Sequence, residues 1–190
     1  MKIRQTAGLF ALLMTTCLTA AADTKFKIIT NKGFVAFAAE DNWGVLKMQP
    51  KLPVAMVAFQ LPNPADAKTD HSTNLALKLY DRKSEIAKAA YNAPLTVPGG
   101  TNRQEQKWAG WTLVRHDAQD RGVTYTIIDA KRPDIGDVAS TVRLAWPRLK
   151  GNAPTYDAQV ETRLRNFLKS IKASKGPYKP EKGEVVRRLK

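Results

Sequence analysis

The side chains best suited to chemistry are two histidines, His71 and His116. His71 lies between an aspartate and a serine, while Asp117 and Asp120 follow His116. An imidazole beside carboxylates can act as a general base in hydrolysis, or can hold zinc when a third ligand joins it. However, members of a catalytic triad usually come from separate segments, and the wide separation of the histidines is not a metal-ligand spacing. We therefore expect no catalytic residue and no metal. The alternative is a hydrolase or metal-dependent enzyme built on both histidines and loop acids.

A second group of candidates combines tryptophan with arginine and lysine. Trp108 and Trp111 flank an Ala-Gly pair at the expected entrance of a strand, where their side chains should point to different faces. One ring would then be buried, and the other would lie exposed among cations, as in sites for glycans, acidic ligands or proteins. The alternative is that both rings pack in the core. The expected binding patch comprises Arg103, Lys107, Trp108, Trp111, Arg115 and Arg143.

The first residues of the chain have the pattern of a secretory signal peptide. Lys2 and Arg4 precede a mostly apolar run over 7–18, and three alanines stand directly before Asp23. The run is too short to span a bilayer as a permanent helix. The sequence therefore predicts a signal peptide over 1–22, cleavage near Ala22/Asp23, and a periplasmic or secreted protein.

Charge and cysteine content limit what the exported part can do. Cys17 is the single cysteine and lies in the leader, so the mature chain would have no disulfide, thiol nucleophile or cysteine-ligated zinc. Lipid attachment at Cys17 is an alternative to simple cleavage, although Thr16 and Met14 do not fit the usual pattern before the cysteine. Loss of the two leader cations lowers the net charge from +14 to +12. That charge favours an acidic protein or an anionic envelope component as partner, and nucleic acid is the least expected outside the cytoplasm.

The glycines do not indicate a cofactor. Pro98-Gly99-Gly100 is typical of a flexible turn, and the chain has no Walker-type or dinucleotide-type glycine pattern. We therefore expect no bound cofactor.

Hydrophobic patterning predicts how these residues are positioned. A strand pair with a turn at Asn31-Lys32-Gly33 is expected over 26–39, and Asp81 is expected to cap a helix that ends near Tyr91. Long loops are expected at 61–73 and 92–103, and polar turns at 116–122 and 131–137. Alternating apolar residues predict further strands at 45–49, 54–60, 74–80, 111–115, 123–129 and 138–146.

The strongest pattern lies near the C-terminal end. One apolar face of a helix is predicted by the spacing of Val160, Leu164, Phe167, Leu168 and Ile171, with Thr155 as the N-cap. Residues 173–190 are polar and basic, so we expect a disordered tail that can attach to anionic envelope lipid.

These elements predict a single α+β domain over 23–172, an antiparallel β-sheet flanked by helices with the C-terminal helix packed on it. Their order resembles the Mog1/PsbP-type α/β/α sandwich found among exported bacterial proteins of unknown function. The resemblance implies a binding or accessory role, and it carries over no functional residue. The sequence thus favours an exported, non-catalytic binding protein whose partner surface is the 92–111 loop with the cationic outer faces of the last three strands.

Overall fold

The computed structural model describes residues 23–95, 99–176 and 179. The predicted leader with Cys17 and most of the predicted tail lie outside the described residues. Ten strands are described: β1 Asp23–Ile29, β2 Gly33–Glu40, β3 Gly44–Gln49, β4 Val54–Leu61, β5 Thr73–Asp81, β6 Thr101–Trp108, β7 Trp111–Asp120, β8 Val123–Ile135, β9 Val138–Pro147 and β10 Lys172–Lys175. Two α-helices, α1 Glu85–Asn92 and α2 Tyr156–Ser170, and a short 3₁₀ turn, Asp66–Lys68, complete the described elements.

The strands form two antiparallel sheets. The smaller sheet has the order β1-β2-β10, and the larger has the order β3-β4-β5-β9-β8-β7-β6. The β2–β10 and β5–β9 pairs join strands that are distant in sequence, while the other pairs follow chain order. The predicted strand pair at 26–39 is confirmed as β1 and β2.

Helix α2 and the small sheet pack against the same face of the large sheet, which we call the core face. The predicted apolar face of α2, which ends at Ile171 just after the helix, is confirmed. Its five residues are at most 4% exposed: Val160, Leu164, Phe167, Leu168 and Ile171. Thr155 is the N-cap, but its side chain makes no capping hydrogen bond. Leu75, Leu77 and Leu79 of β5 and Val142, Leu144 and Trp146 of β9 lie on the core face, each 0% exposed.

An aromatic cluster joins these three layers. The Phe167 ring of α2 lies 5.8 Å from those of Phe37 and Trp43 and 6.2 Å from that of Phe59, centroid to centroid. Phe26 of β1 packs on Phe59 at 5.3 Å. Edge-to-face aromatic contacts add to the burial of apolar area, so this cluster fixes the small sheet and α2 on the large sheet.

The opposite face of the large sheet, the outer face, carries little helical cover. Helix α1 packs there over Tyr80 and Ala139 through Ala87. Its N-cap is Ser84, whose hydroxyl accepts a hydrogen bond from the Ala87 amide, so the expected start at Asp81 is wrong. Ile86 is 75% exposed.

The expected fold class, a sheet flanked by helices, is wrong. Strands hold 55% of the described residues and helices 17%, and a second sheet accompanies the only long helix described. The cause is strand content that the sequence pattern does not show. Strand β6 replaces part of the expected 92–111 loop, and β7 and β8 run through most of the expected turns at 116–122 and 131–137. No helix in the described part of the chain is long and apolar enough to cross a membrane.

The C-terminal segment also departs from expectation at its start. Strand β10 pairs with β2 over residues 172–175, so the segment predicted as a tail from 173 begins in the small sheet. Gly33 permits this pairing, because a Cβ there would lie 1.9 Å from the Ser174 carbonyl oxygen.

The aromatic cluster yields a stability prediction. Phe167→Ala should lower the free energy of unfolding by about 3–5 kcal/mol, because it removes a ring contacted by both sheets and leaves a cavity. Urea unfolding measures this loss, with exposed Ile86→Ala as the control, for which a change within about 0.5 kcal/mol is expected. Equal effects of the two substitutions would contradict the assigned core.

Candidate functional site

The expected binding patch is divided between the two faces of the large sheet. Trp108 lies directly opposite Trp111 in the β6–β7 register, so both side chains point to the core face, and the expected splaying of the rings is wrong. Trp111 is 2% exposed, and Trp108 is half-buried against the same core. Neither ring is free to stack on a ligand.

The cations between α2 and the core face contribute to the packing of α2 and are not available to a ligand. The Arg165 guanidinium lies 4.9 Å from the Trp108 ring centroid, and the Lys169 ammonium lies 5.7 Å from it. Arg115 forms an ion pair with Glu161 of α2 and lies 5.5 Å from the Trp146 ring. These cation–π and ionic contacts are structural.

The remaining predicted residues, Arg103, Lys107 and Arg143, follow the alternation of the outer face. Arg143 clamps Asp129 with two hydrogen bonds, Nε to Oδ1 at 2.7 Å and Nη2 to Oδ2 at 3.1 Å. Its Nη2 also donates to the carbonyl oxygen of Leu95, which ties the segment after α1 to the sheet. Arg103 pairs with Glu105 at 2.8 Å and is well exposed.

His116 is buried beside this clamp, with 1% of its surface exposed. Its Nδ1 lies 4.0 Å from Asp129 Oδ2, too far for a hydrogen bond, and neither ring nitrogen has a hydrogen-bond partner. Burial lowers the pKa of His116, an effect that the Asp129 carboxylate opposes. Burial likewise raises the pKa of Asp129, and the Arg143 hydrogen bonds oppose that shift. His116 and Asp129 are therefore closed to solvent, and only the Arg143 side chain of this cluster is exposed.

The histidines and acids expected to meet do not form a ligand set. Asp117 follows His116 in a strand and so points to the core face, where Asn102, Thr126 and Arg148 donate to it. The other histidine, His71, has its Nδ1 2.9 Å from the hydroxyl of Tyr125. Within the described ranges, no three histidine, aspartate, glutamate or cysteine residues are grouped closely enough to hold a metal.

A groove that the sequence did not predict lies where several turns meet at one end of the sheets. We call it the turn-end groove; its volume is about 670 Å³. The lining comes from the β1–β2 turn, the β5–α1 connection, the β8–β9 turn and β10: Asn31, Lys32, Asp81, Arg82, Lys83, Gly136, Asp137, Ser174 and Lys175. Gly136, with φ of 66°, allows the close approach of β10, because a Cβ there would lie 2.9 Å from that of Ala173.

The two carboxylates of the groove are already used in hydrogen bonds. Asp137 accepts from the Thr30 hydroxyl at 2.7 Å and from the Lys32 amide at 3.0 Å. Asp81 accepts from the Asn31 side chain and the Lys83 amide, both at 2.9 Å. These neutral donors order the turns without taking up the cationic side chains.

The four cationic side chains that line the groove remain available to an anionic ligand. Lys32, Arg82, Lys83 and Lys175 are exposed, and their side chains make no ion pair or hydrogen bond in the part of the chain that the structure describes. No sequence spacing links them, and only the packing of β10 beside the turns brings them together. Four cations around a concave surface favour an anionic ligand.

A smaller aromatic groove of about 270 Å³ continues from the turn-end groove and shares Asp81 and Arg82 with it. Tyr80 and Tyr91 form its wall, with their rings edge to face at 5.7 Å. The Lys131 ammonium lies 4.2 Å from the Tyr91 ring centroid, and burial lowers the pKa of this lysine. The aromatic groove thus adds apolar surface beside the cations.

Comparison with known proteins shows a structural likeness and no match in sequence. No family model matches the chain, and no curated protein matches it. A crystal structure of a chain from Bacteroides thetaiotaomicron VPI-5482 is similar, with a TM-score of 0.42 and 13% sequence identity. The match covers 74% of this chain and 45% of that chain, so this chain spans less than half the length of that neighbour.

The burial of His116 yields a pH prediction. Its pKa in the fold lies below the ordinary 6.5 expected of the unfolded chain, so protons bind the unfolded state more readily. The contribution of His116 to stability is therefore present above pH 6.5 and declines as the pH falls through 6.5 toward the lowered pKa. Urea unfolding of wild type and His116→Leu between those limits should show a steeper pH dependence in wild type. The exposed, non-titrating Ile86→Ala is the control and should keep the wild-type slope; a slope unchanged in His116→Leu would contradict the assignment.

The Asp129 clamp yields a separate prediction. Arg143→Leu should lower the free energy of unfolding at neutral pH by about 2 kcal/mol, because it leaves a buried carboxylate without its charged partner. Adding Asp129→Asn should recover part of that loss, since a neutral amide is less costly to bury. Urea unfolding of the single and double variants measures both effects, and a double variant less stable than Arg143→Leu would contradict the clamp.

Proposed function

We propose that the protein is a non-catalytic binding protein whose anionic partner docks in the turn-end groove. The observation that carries this proposal is the pairing pattern: among the described residues, the four cationic side chains have no ion-pair or hydrogen-bond partner, whereas both carboxylates accept hydrogen bonds from neutral donors. A carboxylate or phosphate entering the groove therefore does not have to displace an existing ion pair. The net charge, +14 for the full chain and +12 without the predicted leader, would draw the same class of partner from a distance.

The chemistry of the groove supports recognition rather than catalysis. Its lining side chains are ammonium, guanidinium, amide, hydroxyl and hydrogen-bonded carboxylate groups, and none of them is a histidine. Arg82 can form two parallel hydrogen bonds with a carboxylate or phosphate, and the three lysines contribute point charges. The aromatic groove beside Arg82 would accept a neighbouring apolar group of the same partner.

Two sources offer such anionic chemistry to an exported protein: an acidic segment of a partner protein and an anionic component of the envelope. Export itself stays a prediction from the leader, which is outside the described residues. The binding surface proposed here replaces the 92–111 region, since Trp108 and Trp111 face the core and Arg115 is paired with Glu161. The enzyme alternative has less support, because His116 is closed to solvent and His71 contacts Tyr125.

Neutralising the groove tests this proposal. The groove variant combines Lys32→Gln, Arg82→Gln, Lys83→Gln and Lys175→Gln. Its control combines Lys47→Gln, Lys51→Gln, Lys68→Gln and Lys150→Gln, four exposed cations outside the groove. Both variants lose the same net charge. A difference in their affinity for the probe therefore reflects where the removed charges lie. Labelled poly-glutamate in low salt, followed by fluorescence anisotropy, should bind the groove variant about tenfold more weakly than the control.

A second arm of the experiment distinguishes the sources of the anion. Sedimentation with phosphatidylglycerol vesicles tests an envelope lipid, and poly-glutamate tests an acidic protein segment. Loss of vesicle binding alone in the groove variant would assign the groove to lipid. Equal binding by the groove variant and its control with both probes would overturn the proposal.

A further inference from the structure

Among the strands that the structure describes, β6 is an open edge of the large sheet. It ends the strand order, and residues 101–107 are all exposed. An edge strand presents unpaired backbone N–H and C=O groups that can pair with another strand. A partner that binds this edge must therefore match its pattern of backbone donors and acceptors.

The turn that follows β6 determines which residues of the strand have free backbone groups. Ala109 and Gly110 form a two-residue turn with φ values of 49° and 80°, so Trp108 and Trp111 close the hairpin as a hydrogen-bonded pair. Because alternate residues of a strand bond to opposite sides, Gln106 also bonds toward β7. The backbone groups of Glu105 and Lys107 consequently point away from the sheet.

Glu105 and Lys107 carry opposite charges and lie two positions apart. Two antiparallel copies of β6 can therefore place each of these charges opposite its counter-charge. A two-fold axis perpendicular to the sheet through Gln106 would place Glu105 opposite Lys107 of a second copy, and Lys107 opposite its Glu105. The outward backbone groups of both residues would then exchange hydrogen bonds in two symmetric pairs. Opposite charges directly across a strand pair add to this stabilisation.

Other registers are less favourable. Moving the axis to Glu105 or to Lys107 places identical charges opposite each other, which is destabilising. An axis at Gln104 would place Glu105 opposite Arg103 of the second copy, also an attractive pair, but Arg103 lies in the irregular part of β6, where the register with β7 shifts between Thr101 and Gln104. The edge therefore favours a single register.

The other edge of the large sheet lacks this complementarity. Strand β3 exposes Val45 and Leu46, and its pairing with β4 is interrupted between Val45 and Lys47. Lys47 is its single charged residue, so no antiparallel register of two β3 strands brings opposite charges together.

We propose that two copies of this chain pair antiparallel through β6, with the two-fold axis at Gln106, and so join their large sheets into one. This proposal is independent of the turn-end groove, which lies on other elements. The β6 edge is the interaction surface, and a second copy of the chain is its partner.

Charge reversal with rescue tests the pairing. In multi-angle light scattering over a concentration series, the purified protein should form a dimer. Glu105→Lys places lysines opposite each other twice and should weaken dimerisation at least tenfold. Adding Lys107→Glu to that variant restores opposite charges in this register alone, so the double variant should dimerise like wild type. Glu85→Lys on α1, an equal charge change on an exposed residue, should leave the dimer unchanged.

The outcomes are decisive in either direction. A wild-type protein that stays monomeric at its highest soluble concentration overturns the proposal. A dimer insensitive to Glu105→Lys, or a double variant that stays dissociated, assigns the contact to another surface or register and also overturns it. Circular dichroism of each variant confirms that dissociation does not reflect unfolding; if Glu105→Lys unfolds, Lys107→Pro replaces it, since this removes an outward N–H at an edge.

Discussion

The packing of Phe167 against rings from both sheets is the contact on which the rest of the structure depends. Phe37 and Trp43 reach it from the small sheet and its following turn, and Phe59 reaches it from the large sheet. Because β10 follows α2 after a single residue, docking of the helix also places β10 beside β2. Lys175 thereby reaches the turn-end groove. The hydrophobic core thus positions the cations that we assign to binding.

The outer face is stabilised in part by a buried polar cluster rather than by apolar packing alone. Here the sheet buries Asp129 and His116 with little helical cover, the Arg143 clamp compensates the Asp129 carboxylate, and burial lowers the pKa of His116. Such a cluster stabilises the fold only over part of the pH range, because burial opposes the charged form of each group. We therefore assign it to structure, and assign binding to the groove, where the cations remain in contact with water.

The sequence could predict the elements whose residues repeat with a clear period. The helical spacing of apolar residues from Val160 to Ile171 predicted α2. The alternation of apolar residues predicted which side chains of β9 point to the core face. It could not predict β6, because a strand with both faces exposed has no apolar alternation before Trp108. It also could not predict the turn-end groove, since residues as distant as Lys32 and Lys175 meet only through the β2–β10 pairing. The Trp108–Trp111 hairpin had a usable signal in its Ala-Gly turn, which sets the two rings on one face.

Nuclear magnetic resonance can map where an anion binds this protein, and so tests the assignment of binding to the turn-end groove. Backbone amide shifts are recorded for the purified protein while unlabelled poly-glutamate is added in low salt. We expect the largest shifts on the turns of the groove, at Lys32, Arg82, Lys83 and Gly136, and at Lys175 of β10. Shifts centred on the outer face at Arg103 and Lys107, or no saturable shifts, would contradict that assignment.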